Sequence, residues 1–155
     1  MTVRWRAPSV VARIRLATNE ALFAGGQDVL NTARNLILNS PASGEFYVRR
    51  GVEHQSSAPG EPPANWTGAL IRNLRAEVDT RTRRRDLPSR IRIVADVEYG
   101  EWLEVGTRRM KPRPFIRPAL LKNHRKIQGR VSRAIAVALA TPTGGPGSGV
   151  GARGR

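Results

Sequence analysis

One stretch of this chain leaves little freedom in how it can fold. Apolar residues at Leu22, Val29, Leu30, Ala33, Leu36 and Ile37 recur at three- and four-residue steps, and the pattern stops at Ser40-Pro41. That spacing puts them on one side of a helix. Proline ends it, because its ring disfavours helical geometry in the residue before it and it has no N–H to donate. The pattern predicts a helix from about Ser9, as N-cap, to Asn39, with Gly25-Gly26 as a point of kinking or breakage. Its apolar stripe must be covered, most simply by the rest of its own domain.

The next segment is irregular. From Ser40 to Asn65 the periodicity fails and Gly, Pro and Ser crowd the sequence. Phe46-Tyr47-Val48 suits a short strand, and SSAPGEPPAN reads as an extended, turn-rich loop. Long structureless connections are uncommon in compact domains unless they bind something or are disordered. The segment 40–66 is therefore read as an extended interaction loop.

Periodicity returns with TGALIRNLRAEV. Leu70, Leu74, Ala76 and Val78 occupy even positions, which suits a strand with one buried face. A helix starting at Thr67 is the rival, since the same residues also have four-residue spacing. Beyond the basic turn TRTRRRDLPSR, Ile91, Ile93 and Ala95 alternate with Arg92, Val94 and Asp96 to give a second strand. YGEWLEVG then reads as a short helix on which Tyr99, Trp102 and Leu103 cluster, closed by Gly106, which tolerates positive φ. Pro112 and Pro114 keep RRMKPRPF irregular. Leu120, Leu121, Ile127, Val131, Ile135 and Leu139 outline a last helix, from about Pro118 in its first turn to Ala140. The fold class is α+β: a long N-terminal helix, a small antiparallel sheet with an extended loop, a short helix and a C-terminal helix. One domain over 1–140 precedes a Gly/Pro-rich basic tail over 141–155, expected to be flexible.

Composition narrows the chemistry. The chain has 155 residues, 39% of them apolar and 5% aromatic, so its core is thin and neighbouring subunits are expected to share in its stability. With no cysteine there is no disulfide, thiolate metal site or cysteine nucleophile. The opening MTVRWRAPSVVARIR, with arginines among its apolar residues, does not read as a secretory signal. No apolar run is long enough for a membrane helix. The chain thus reads as a soluble intracellular product.

The formal charge is +15, from 27 basic and 12 acidic residues, and no Asp or Glu occurs after Glu104. Such a field attracts polyanions, DNA first among them. A solvated basic face is the bland account. Arginine also suits ion pairs buried between subunits, because its fork binds carboxylates bidentately.

No catalytic, cofactor or metal constellation can be assembled. His54 falls in the polar loop and His124 on the last helix, neither with a second ligand at metal-binding spacing. No glycine loop sits between a strand and a helix, and Ser56 and Ser57 have no nucleophile-elbow pattern. Glu98, Glu101 and Glu104 recur every third residue and would share a helix face, but beside so basic a stretch salt bridges are their ordinary fate. Aromatics are too sparse for a nucleic-acid stacking platform, so any DNA contact would be through phosphate charge. The chain is read as a non-enzyme.

Two stretches resemble a phage family. VEYGEWLEVGTRRMKPRPFIRPAL is similar to the Tyr–x–x–x–aliphatic–Glu–apolar–Gly–Thr and Pro–Phe–aliphatic–Arg–Pro–Ala pattern of the gene-product-ten-like neck proteins. These are head–tail connector and tail-completion proteins of long-tailed double-stranded DNA phages. The positions here are Tyr99, Leu103, Glu104, Val105, Gly106 and Thr107, then Pro114, Phe115, Ile116, Arg117, Pro118 and Ala119. Val105 stands where the family often has an aromatic. SSAPGEPPANWTGALIRNL is similar to the loop leading into the family's Thr–Gly–x–Leu strand, here Thr67, Gly68, Ala69 and Leu70, with Ala69 where an arginine often precedes the leucine.

The resemblance implies a virion protein without a cofactor, assembled in the bacterial host's cytoplasm into a homo-oligomeric ring, by expectation hexameric. Its partners would be the stopper or adaptor and the tail terminator or tail-tube proteins, with non-specific contact to DNA in the channel and no membrane. A tail terminator capping the tube is the runner-up, and a non-specific nucleic-acid-binding basic protein the rival from another class. Interface residues are expected at these motifs and at Trp102, Arg108 and Arg109. Phe115 is either a plug in its own core or an anchor in the next subunit.

Overall fold

A computed structural model describes residues 7–79 and 90–141. The order of elements is α1 (Ala7–Leu38), β1 (Phe46–Arg49), β2 (Val52–Gln55), α2 (Ala69–Arg72), β3 (Leu74–Asp79), β4 (Arg90–Ala95), α3 (Gly100–Val105) and α4 (Ile116–Ala140). The protein is α+β, with long helices near both ends and two separate two-stranded antiparallel sheets, β1–β2 and β3–β4.

α1 and α4 pack side by side and antiparallel. Asn123 Nδ2 donates to Thr32 Oγ1 at 2.8 Å, while one turn earlier along α1 Asp28 meets Lys126 at 3.2 Å and Arg130 at 2.7 Å. The expected break at Gly25-Gly26 does not occur, and α1 is continuous. The two glycines serve close approach instead. A Cβ on Gly25 would lie 2.9 Å from Ile127 Cγ1 of α4, and one on Gly26 would lie 2.5 Å from Ile91 Cγ2 of β4. Tertiary packing here overrides the low helix propensity of glycine. Ser9 is not the N-cap, since α1 already runs through it from Ala7.

The stripe on α1 is buried as its spacing requires: Val29, Leu30, Ala33 and Ile37 are 0–3% exposed. They join Leu70, Leu74, Phe115 and Ala119 in one core. α4 turns a different face inward from the one its leucines suggest. Ala119, Asn123 and Ala138 are buried and Ile127 packs on the core, whereas Leu120, Leu121 and Leu139 are 48%, 68% and 58% exposed. Small residues let α4 lie close to α1, so its larger side chains point away.

The stretch 67–79 resolves the strand-or-helix alternative by dividing. α2 is a single helical turn carrying Leu70, and the strand begins only at Leu74. The Thr67–Leu70 motif thus leads into a helical turn, with Gly68 as its left-handed N-cap, and is not a strand. β3 pairs with β4 from Leu74↔Ala95 to Asp79↔Arg90, as the hairpin reading expects. The basic turn between them and the tail beyond Thr141 lie outside the described residues.

The loop over 40–66 is folded back on the body, and it holds the second hairpin. β1 and β2 pair in the register Phe46↔Gln55 to Arg49↔Val52, closed by Arg50-Gly51 with φ of 55° and 77°. Two successive positive φ values in a two-residue connection are the type I′ signature, whose twist matches that of the flanking strands.

Candidate assembly interface

Part of the first motif forms a self-supporting corner between α3 and α4. α4 begins at Phe115 with no side-chain cap of its own, which leaves amides at its N-terminus without partners. Glu104 supplies them from α3. Its Oε2 accepts from the Phe115 and Ile116 amides, both at 2.9 Å, and its Oε1 accepts from the Arg117 amide at 2.7 Å. A carboxylate at a helix N-terminus also meets the favourable end of the helix dipole.

The chain between them is held as tightly. Gly106 has φ 77°, and a Cβ there would lie 2.8 Å from the Met110 carbonyl oxygen, so both conformation and space call for glycine. Thr107 and Met110 exchange backbone hydrogen bonds, and Thr107 Oγ1 accepts from the Arg109 and Met110 amides at 3.3 Å and 3.1 Å. The Arg113 amide returns to the Leu103 carbonyl at 2.7 Å. Pro114 leads into Phe115, which is fully buried, so Phe115 is a plug in its own core; Pro118 occupies the first turn of α4.

The expectation of salt bridges for Glu104 is overturned, because its oxygens are engaged by amides. Glu98 lies before α3 begins and so shares no helix face with Glu101.

The two motifs meet at a groove of about 540 Å³. Thr67, Gly68 and Leu70 come to it from the second motif, and Tyr99, Leu103 and Arg113 from the first and the segment after it. Gly68, with φ 70°, opens α2, and its amide donates to Asn65 Oδ1 at 3.1 Å. Trp102, Arg108 and Arg109 are exposed and do not line the groove. Trp102 therefore does not join Tyr99 and Leu103 in one cluster.

The third wall is the β1–β2 hairpin, which sequence reasoning found only as the isolated strand Phe46-Tyr47-Val48. Its inner face carries an aromatic and cationic stack. His54 stacks on Trp66 with centroids 5.2 Å apart, Tyr47 meets both rings edge-on, and the Arg49 guanidinium sits 4.9 Å above the indole. The signal for it was FYVR–RG–VEHQ, two strand-like runs about a two-residue turn.

Charge in the groove is one-sided. Arg49, Arg50 and Arg113 line it, and no carboxylate does among the described residues. Arg113 Nε is shielded from solvent without a hydrogen-bond partner, and its guanidinium lies close enough to Glu61 to help lower that carboxyl. Nearby, Glu61 ties down the loop that carries the hairpin, accepting from the Ser43 hydroxyl and from the Ala58 amide at 2.9 Å. Those bonds, the Ser43 hydroxyl's foremost, hold its carboxyl below the usual carboxylate range.

Among the described residues, no cluster of His, Asp and Glu is placed to hold a metal ion, and no helix is long and apolar enough to cross a membrane. Comparison with protein-family models, curated proteins and solved structures gives no match for the chain.

Proposed function

We propose that this protein is a structural subunit of the head–tail neck of a long-tailed phage, assembling into a ring, with the hexamer as the expected form. The reading rests on the resemblance of its two motifs to neck proteins, and one observation carries it further. Motif residues far apart in sequence converge on a single groove, next to the corner that Glu104 builds. The groove's walls are aromatic and cationic, and among the described residues no carboxylate lines them to serve acid–base chemistry.

The surface supports an assembling subunit. Phe46, Val48, Trp102, Val105, Leu120 and Leu121 are all between 48% and 71% exposed, which leaves large apolar side chains open on β1, α3 and α4. The runner-up, a tail terminator, shares this surface. The net charge of +15 favours non-specific DNA binding as the reading from another class.

Deletion of the gene from a phage that carries it tests the proposal. DNA-filled heads separated from finished tails are the expected product, and purified protein added to its neck partners should form rings in negative stain. Replacing Arg108 and Arg109 by glutamine should leave packaging intact while heads and tails fail to join. Intact particles from the deletion would overturn the reading. Binding to DNA fragments without any assembly defect would favour the nucleic-acid reading instead.

A further inference from the structure

The β1–β2 hairpin shows two unlike faces. Tyr47, Arg49 and His54 point into the groove. Strand alternation puts Phe46, Val48 and Glu53 on the opposite face. There Phe46 is 64% and Val48 71% exposed, left open by the described residues around them. Glu53, on this outer face, has no ion-pair partner among the described residues. An apolar and acidic surface thus backs onto an apolar and arginine-lined groove, across the thickness of one ribbon.

From this complementarity we infer that the outer face of the hairpin in one copy seats in the groove of the next. Phe46 and Val48 meet the aromatic wall, and Glu53 answers the groove arginines. The contact is heterologous, since each copy offers its outer face in one direction and its groove in the other. Repetition in one sense closes a ring when the rotation permits. The inference rests on the reading of the protein as a self-assembling subunit and names the surfaces used.

The absence of native cysteine makes a clean test. Two full-length single-cysteine proteins, Val48→Cys and Thr67→Cys, carrying tags of different size, are mixed and oxidised. Their mixed disulfide should form several-fold faster than that of Leu16→Cys with Thr67→Cys, since Leu16 lies on an exposed stretch of α1. An equal or slower rate overturns the inference, as does faster coupling of Trp102→Cys to Thr67→Cys, which would make α3 the occupant.

Charge reversal gives an independent reading by the same coupling. Adding Glu53→Arg to the Val48→Cys protein should remove the enhancement. Adding Arg49→Glu and Arg50→Glu to its Thr67→Cys partner should bring it back, provided circular dichroism shows all variants folded. No loss, or loss without recovery, counts against the contact. Enhanced coupling in a protein whose deletion leaves phage intact would keep this contact and remove the neck reading. Tailless heads without enhanced coupling would do the reverse.

Discussion

The two antiparallel strand pairs among the described residues share a topology but sit differently on the body. β3–β4 lies along α1, with Leu74 buried and Ala76, Ile93 and Ala95 packed on the core, close enough that Gly26 has no room for a side chain. In β1 every residue is exposed, and the hairpin meets Trp66 through the stacked ring of His54 and the edge of Tyr47. An isolated two-stranded hairpin is marginal in water. The difference teaches where the energy of the fold resides: β3–β4 belongs to the core, while β1–β2 lies at the surface, closed by its turn and seated on Trp66.

The largest effect that would break this division is at the core. Phe115→Ala should cost about 3–5 kcal/mol, as truncation of a fully buried phenylalanine does. Chemical denaturation measures it. A loss under about 1 kcal/mol would mean that the helices do not close on Phe115 as described.

Smaller, and more specific, is the cap. Glu104→Gln keeps the shape of the side chain but removes the charge shared by three amides, and a cost of about 1–2 kcal/mol is expected, the range of a lost helix cap. Amide hydrogen exchange at 115–117 should accelerate more than exchange at Thr107 or Met110. Uniform acceleration would assign Glu104 no special part in the corner.

A slighter effect appears only in acid. Burial works against the charged form of Asp28, yet Arg130 and Lys126 outweigh it and hold its carboxyl below the usual range. A depressed folded pKa means that the unfolded chain takes up the proton first. Its stabilisation is therefore whole above the ordinary aspartate value of about 3.9 and is lost as pH falls through the lower folded value. Thermal melts below about pH 4 should fall less steeply for Asp28→Asn than for the wild-type chain. Parallel curves would show that the α1–α4 ion pair has no part in the acid transition.

Legibility in the sequence divides along the same line. The stripe on α1, the β3–β4 hairpin, the short α3 and the positive φ of Gly106 can be read there because each depends on local spacing or on one residue's conformational range. Three things cannot. The unbroken passage through Gly25-Gly26 depends on Ile127 and Ile91, distant in sequence. The inward face of α4 is set by small residues that allow close approach, against the hydrophobic signal of Leu120 and Leu121. Glu104 looks like one carboxylate of three, and its role emerges only when α4 starts over it. At the groove, the motifs point to Thr67, Gly68, Leu70 and Tyr99, but the stack of Tyr47, His54 and Arg49 on Trp66 needs the strand register that brings His54 opposite Tyr47. Trp102, Arg108 and Arg109 belong to the same sequence stretch as Tyr99 yet lie on the surface away from the groove.

On the proposed reading the β1–β2 hairpin serves contact with other molecules and not the fold. A double variant, Phe46→Ser with Val48→Ser, tests it in one measurement, denaturation of the purified protein followed alongside ring formation with the neck partners. The unfolding free energy should stay within about 0.5 kcal/mol of wild type, as for surface changes that leave no buried feature disturbed, while rings fail to form. A loss of about 2 kcal/mol or more, typical of core residues, or rings formed as readily as by the wild-type chain, would contradict the account.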